Sequence, residues 1–276
     1  MTWLARLDLD YTLEAERSVA RYLHQGPLRI LQSLYPEGDA VCHNVLVHPP
    51  SGLVGGDTLD MQVNVGEGAH GLVTTPGATR FYRSEAGLAT QQVHARVESG
   101  ARLEWLPLEA IAYNQCDALN RAVFDLAPGA EMMAWDITAF GLPAADLPFA
   151  QGTFRQHLEI PGVWLERGTI NANDTRLMDS PVGLAGQRCI ATLVFAAGDA
   201  MADERIERAL AFARTLLEAS ELRLTAGATS PHKQVIVLRT LSPVTEPAMQ
   251  LLRQVWAAWR HEMWSLPGTV PRLWHL

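Results

Sequence analysis

The chain has 276 residues, of which 48% are apolar, enough for a substantial core in one large domain or two small ones. Its 22 basic and 30 acidic residues give a formal net charge of −8, which argues against a nucleic-acid binder. The three cysteines, Cys42, Cys116 and Cys189, are too few and too scattered for a disulfide framework.

The N-terminal stretch alternates. Trp3, Ala5, Leu7, Leu9, Tyr11 and Leu13 share one face, with Arg6, Asp8, Asp10, Thr12 and Glu14 on the other, the period-2 pattern of a strand with one wet side. It lacks the apolar segment of a secretory signal. No stretch reaches the roughly 18 apolar residues of a membrane span, so the expected setting is the cytoplasm. Leu28–Leu34 predicts a second strand, and Tyr35-Pro36-Glu37-Gly38-Asp39 a turn. Two loops dense in Gly, Pro, Thr and Asp follow, Pro49–Asp57 and Thr74–Thr79.

A quasi-repeat runs through the next 130 or so residues. Turn glycines recur every 29 to 33 residues, at Gly38, Gly68, Gly100, Gly129 and Gly162. Three share Gly-Ala and a polar residue: Gly68-Ala69-His70, Gly100-Ala101-Arg102 and Gly129-Ala130-Glu131. An alternating run precedes each of these three, ending at Val65, Val97 and Leu126. Units of this kind cannot bury their apolar faces alone, so they must stack. The expected fold is mainly β, a stacked-hairpin, β-helix-like body; an evenly spaced β-sandwich is the alternative.

The last third changes character. Cys189–Ala196 reads as a buried strand, and Asp203–Ser220 has apolar residues at helical spacing with Asp203 and Glu204 at its start. Val235–Leu238 is a strand and Thr245–Met263 a second helix, followed by an apolar tail, Pro271-Arg272-Leu273-Trp274-His275-Leu276. This gives a small α+β section with two helices, residues 187–276, packed on a β body of residues 1–186 within one continuous domain.

No catalytic motif emerges. Ser51–Thr58 has glycines but lacks the P-loop lysine, no helix follows to make a dinucleotide fingerprint, and Gly-x-Ser-x-Gly is missing. A hydrolase using the Gly55-Gly56-Asp57 loop is the enzyme alternative. His43 and His48 do not match zinc-ligand spacing and read as structural or surface residues.

Several motifs together resemble the urease accessory protein UreD (UreH) family. They are Gly26-Pro27-Leu28-Arg29, Leu34-Tyr35-Pro36-Glu37-Gly38, Cys42-His43, His48-Pro49-Pro50, Val54-Gly55-Gly56-Asp57, Gly100–Glu109, Trp135-Asp136, Leu165-Glu166-Arg167 and Pro271–Trp274. The most specific is Thr74-Thr75-Pro76-Gly77-Ala78-Thr79-Arg80-Phe81-Tyr82-Arg83-Ser84. Phe140-Gly141-Leu142-Pro143-Ala144 departs from the family pattern, with Leu142 where an arginine is usual.

The resemblance implies a scaffold rather than an enzyme. It implies binding to apo-urease, to UreF and, through UreF, to the GTPase UreG, in a complex that is a possible dimer of heteromers. It also implies transient passage of Ni2+, no tightly bound cofactor and no contact with nucleic acid or membrane. A plain interaction module without a metal path is the alternative. Weak oxygen donors suit a path for nickel(II) better than a closed cage. The candidates are Asp57 and Thr79 from the opening loops, with His48, Thr74 or Thr75, Glu109, Asp136 and Glu166 from the units that follow. Alternatively, Asp57 caps its loop and Asp136 pairs with Arg80 or Arg83. Arg80, Tyr82 and Arg83 are candidates for a partner interface, or for an internal pairing with Glu104 or Glu109.

Overall fold

The computed structural model describes residues 2–85 and 87–275. Its body is a β-solenoid of about four turns. Each turn supplies one strand to each of two facing sheets. The first sheet stacks Thr58–Val65, Ala89–Val97, Cys116–Leu126 and Gly152–Ile160 in parallel; the second stacks Cys42–Val47, His70–Thr74, Arg102–Leu106 and Glu131–Leu142. Short strands Gly52–Leu53, Thr79–Phe81 and Ala110–Ala112 stack along the second sheet's far end, so the two opening loops are corners of successive turns.

The Gly-Ala turns stack as the sequence pattern predicts. Arg102 is in register with both His70 and Glu131. Gly100 N–H donates to the Gly129 carbonyl at 3.2 Å, and Gly68 N–H to the Ser99 carbonyl at 3.2 Å. Gly100 has φ +67°, a left-handed conformation that a side chain would strain. Gly38 and Gly162 do not continue this stack. Gly38 turns between antiparallel Arg29–Leu34 and Cys42–Val47, and Gly162 between antiparallel Gly152–Ile160 and Trp164–Asn171. Hairpins and coil turns both place a glycine between two strands, so spacing alone does not separate them.

Both ends of the solenoid are built antiparallel. At one end the hairpin Leu4–Glu14 and Arg17–Gln25 joins the first sheet through Thr58–Val65. At the other, Cys189–Ala197, Val235–Ser242 and Ala226–His232 extend the second sheet beyond Glu131–Leu142. A one-turn helix α1 (Thr175–Asp179), capped by the Asp174 side chain, lies in the connection and has no counterpart in the sequence reading. Helices α2 (Asp203–Glu218) and α3 (Thr245–Trp264) fall where their periodicity predicts. No described helix is long and apolar enough to cross a membrane.

Two cores share the second sheet. Between the sheets lie inward residues such as Leu7, Leu9, Met61, Val63, Val93, Phe124 and Phe154. On the outer face, Met133, Trp135, Leu193 and Phe195 pack against Ile206 and Leu210 of α2 and Leu252, Trp256 and Trp259 of α3. Full burial of each such side chain contributes roughly 1.5–3 kcal/mol. The first sheet's outer face has no helix on it and is correspondingly polar, with Asp8, Asp60, Gln62, Gln92, Arg121 and Arg155 among its side chains.

Candidate functional site

The unusual feature of the solenoid interior is a polar seam. Strand alternation points Gln91, Asn120 and Gln156 inward, and register places them side by side on adjacent strands. On the facing sheet Asp136 and Thr138 point inward from Glu131–Leu142. The side chains form one chain of hydrogen bonds. Thr79 Oγ1 donates to Gln91 Oε1 at 3.1 Å, Gln91 Nε2 to Asn120 Oδ1 at 3.1 Å, and Asn120 Nδ2 to Asp136 Oδ2 at 2.6 Å. Thr138 Oγ1 and Gln156 Nε2 donate to Asp136 Oδ1 at 3.0 and 2.9 Å.

Across the sheet, Asp136 is in register with Thr192, and Thr192 with Arg239. Glu166, from Trp164–Asn171, closes the row: its Oε1 accepts from Thr192 Oγ1 at 3.1 Å, and its Oε2 from Arg239. Burial pushes the Asp136 carboxyl up to about 6, and the negative charge of Glu166 adds to the rise against the three hydrogen bonds. The middle of the seam is thus a buried carboxyl that holds its proton more tightly than an exposed one.

Each end of the seam meets a cavity. At one end, about 100 Å³ is bounded in part by His48, Thr75, Thr79 and Gln91. His48 Nε2 is buried there without a hydrogen-bond partner among the described residues, and burial lowers its pKa against the opposing pull of Asp57. At the other end, about 490 Å³ is bounded in part by Trp164, Gly227, Thr229, Pro231 and Arg239.

The sequence candidates divide accordingly. Thr79, Asp136 and Glu166 lie in the seam and His48 at its mouth. Asp57 does not join them: its carboxylate accepts from the backbone N–H of Val54 at 3.1 Å and Trp3 at 3.3 Å, the loop-capping role. That occupies the oxygens which a Gly-Gly-Asp hydrolase would need free. Glu109 lies apart, on a cavity of about 500 Å³ beside Glu246, Arg253 and Trp274. Thr74 receives the indole N–H of Trp274 at 2.8 Å, which docks the apolar tail on the body.

The pairings of Asp136 with an arginine, and of the loop arginines with Glu104, are corrected. Asp136 binds amides and a hydroxyl, not Arg80 or Arg83. Both arginines are exposed, Arg83 lying 3.9 Å from Glu85, while the Tyr82 ring packs 4.8 Å from that of Tyr113. Glu104 is likewise committed elsewhere, to a buried cluster under α3. Its carboxylate accepts from Trp256 Nε1 at 2.6 Å and Arg260 Nε at 3.1 Å, and lies 2.8 Å from His70 Nε2. Arg260 also binds Glu37 at 2.7 and 3.0 Å, and Glu37 meets His43 at 2.8 Å. Burial alone would raise the Glu37 carboxyl, but His43 and Arg260 outweigh it and hold it at about 2.

Sequence reasoning misses Gln91, Asn120, Gln156, Thr192 and Arg239. The available signal is a polar residue at an inward position of an alternating run, such as Gln156 between Phe154 and Leu158. Among the described residues no three His, Cys, Asp or Glu side chains converge as a metal-binding group. The seam's donors are amides, hydroxyls and separate carboxylates.

The family model described as UreD urease accessory protein matches residues 4–275. The chain belongs to the UreD family. It is 62% identical over 274 residues to the urease accessory protein UreD of Variovorax paradoxus (strain S110), covering 99% of each chain. It is 63% identical over 276 residues to that of Polaromonas naphthalenivorans (strain CJ2), covering 100% of each, and 47% identical over 294 residues to that of Methylibium petroleiphilum, covering 99% of each. These UreD relatives are named as accessory factors of an enzyme rather than as enzymes. The match spans both the solenoid and the helical section, so the seam, the Glu37–Arg260–Glu104 cluster and the docked tail all lie inside the UreD region.

Proposed function

We propose that this protein is a urease accessory scaffold that binds apo-urease and, with UreF and the GTPase UreG, delivers nickel to the urease active site through the interior of its solenoid. Family membership supports the accessory role. The observation that carries the path is the polar row that runs from the His48–Thr79 cavity by hydrogen bonds to Asp136, and on through its strand neighbour Thr192 to Glu166 and Arg239, which borders the second cavity, through a body otherwise packed with apolar side chains.

The chemistry fits a cargo in transit. Nickel(II) accepts oxygen and nitrogen donors and keeps water while it moves. Amide and hydroxyl oxygens spaced one strand apart offer successive weak contacts, and passage requires sites that also release. Asp136 is the one carboxylate midway, and its ionised form is the one that a passing cation favours.

The test uses the assembled complex. Asp136→Ala is made in the full chain, co-purification with UreF, UreG and apo-urease is verified, and urease nickel content and activity are measured after loading. The expected result is an intact complex with nickel incorporation reduced at least several-fold. Normal loading by an assembled Asp136→Ala complex overturns the path. Failure of the parent chain to co-purify with apo-urease or UreF overturns the scaffold.

A further inference from the structure

The far end of the seam does not open freely. Its last carboxylate, Glu166, has a side chain only 15% exposed, while that of its partner Arg239 is 54% exposed. Arg239 reaches Glu166 Oε2 through both Nε, at 2.7 Å, and a terminal guanidinium nitrogen. The other carboxylate oxygen is held by Thr192. The guanidinium lies 5.9 Å from the centre of the Trp164 ring and borders the 490 Å³ cavity. A fixed cation therefore stands between the terminal carboxylate and the open end.

A guanidinium bound through two N–H groups fills the acceptor sites that a metal ion would use. It also repels any cation within a few ångströms, strongly so where water is partly excluded. Among the described residues no arginine or lysine lines the other mouth, where His48, Ser51, Thr75 and Thr79 are the polar side chains beside Gln91. The two ends of the seam are thus electrostatically unlike.

We propose that Arg239 is the residue that sets cation occupancy at the open end of the seam: a tethered counter-cation that keeps Glu166 closed to divalent metal until its guanidinium is displaced. The inference rests on the seam being the cation path. Arg239 is a positioning residue, acting on the cargo chiefly by occupying Glu166. It makes release at this end a competition between a metal ion and a side chain, rather than simple diffusion through an open mouth.

The experiment reads cation binding at this end directly. Mn2+ serves as a paramagnetic probe of the purified full-length protein, and the Trp164 indole resonance, assigned with Trp164→Phe, is followed as it broadens. Arg239→Gln is expected to lower the Mn2+ concentration for half-broadening at least tenfold. Arg239→Lys, which keeps the charge, stays within about threefold of the parent and shows that the position tolerates substitution. Glu166→Gln added to Arg239→Gln abolishes the gain. Unchanged broadening in Arg239→Gln, or a gain that survives in the double variant, overturns the proposal.

Nickel loading of urease separates the path from the gate. If Asp136→Ala impairs loading while Arg239→Gln leaves Mn2+ broadening unchanged, the path stands and the gate fails. If Asp136→Ala loads normally, the path itself fails and the gate falls with it.

Discussion

Replacing Asp136 with asparagine removes a charge while nearly keeping the shape of the side chain. In the folded protein burial holds this carboxyl at about 6, against an ordinary 3.8. A carboxyl raised on folding is bound more tightly to its proton in the native state. Its stabilising contribution is therefore complete below the unfolded value and is lost as pH rises through about 6. The full shift corresponds to about 3 kcal/mol, of which roughly half is lost between pH 5 and pH 8. The substituted amide cannot titrate, so the variant escapes this loss whatever its absolute stability. That absolute value falls by about 1–3 kcal/mol if the new amide N–H group faces the donors Asn120 and Gln156 unrelieved, though rotation of the Asn120 and Gln91 amides offsets the clash. The assay is thermal unfolding of parent and variant at pH 5 and pH 8. For a chain of this size the difference of differences is about 3–6 °C in Tm, the parent losing more on going to pH 8. Identical pH dependence in the two proteins would refute the reasoning, because Asp136 would then titrate as a hydrated carboxyl and the seam would be open to bulk water.

The cluster beneath α3 makes a second set of predictions. Arg260→Met leaves Glu37 and Glu104 without their shared counter-ion in an apolar setting, and the expected loss is about 3–5 kcal/mol in urea unfolding; a loss below about 1 kcal/mol would show that water reaches the carboxylates. Glu37, held at about 2, contributes stability that is present above its ordinary 4.5 and disappears as pH falls toward 2; Glu37→Gln is expected to flatten that acid limb of the stability curve. Gly198→Ala would drive a methyl group into the Ala127 carbonyl oxygen, a backbone atom that cannot swing aside, so Tm should fall by several degrees. Trp274→Phe removes the N–H donated to Thr74 and should lower stability by about 1–3 kcal/mol, with the tail becoming more sensitive to carboxypeptidase.

Much of the architecture is legible in the chain because it is periodic. The Gly-Ala turns at Gly68, Gly100 and Gly129 stack as expected, since the same local pattern makes the same turn in each unit. The helices fall on their apolar stripes for the same reason: a period of 3.6 is a property of neighbours in sequence. The hairpin turns at Gly38 and Gly162 mislead because glycine's conformational freedom serves antiparallel and stacked turns alike. Asp57 is legible as a loop cap because one of its partners, the Val54 N–H, lies three residues from its own position.

The seam is a different kind of object. Motif positions single out Thr79, Asp136 and Glu166 but pass over Gln91, Asn120, Gln156 and Arg239. In sequence these four are isolated polar residues in ordinary strands, and their meaning depends on which residue of the next coil lies beside them.

The sequence by itself therefore determined the family, the stacked β body and the two long helices, because local pattern and short-range turn chemistry specify these. Only the tertiary structure decided that the inward polar residues of four coils meet as one row, that Glu104 belongs to Arg260 rather than to Arg80, and that Arg239 closes one end. Hydrogen bonds and ion pairs act over about 3–4 Å. Partners 29 to 156 positions apart in the chain, as Gln91–Asn120 and Glu104–Arg260 are, come within that range only after register and coil stacking are fixed.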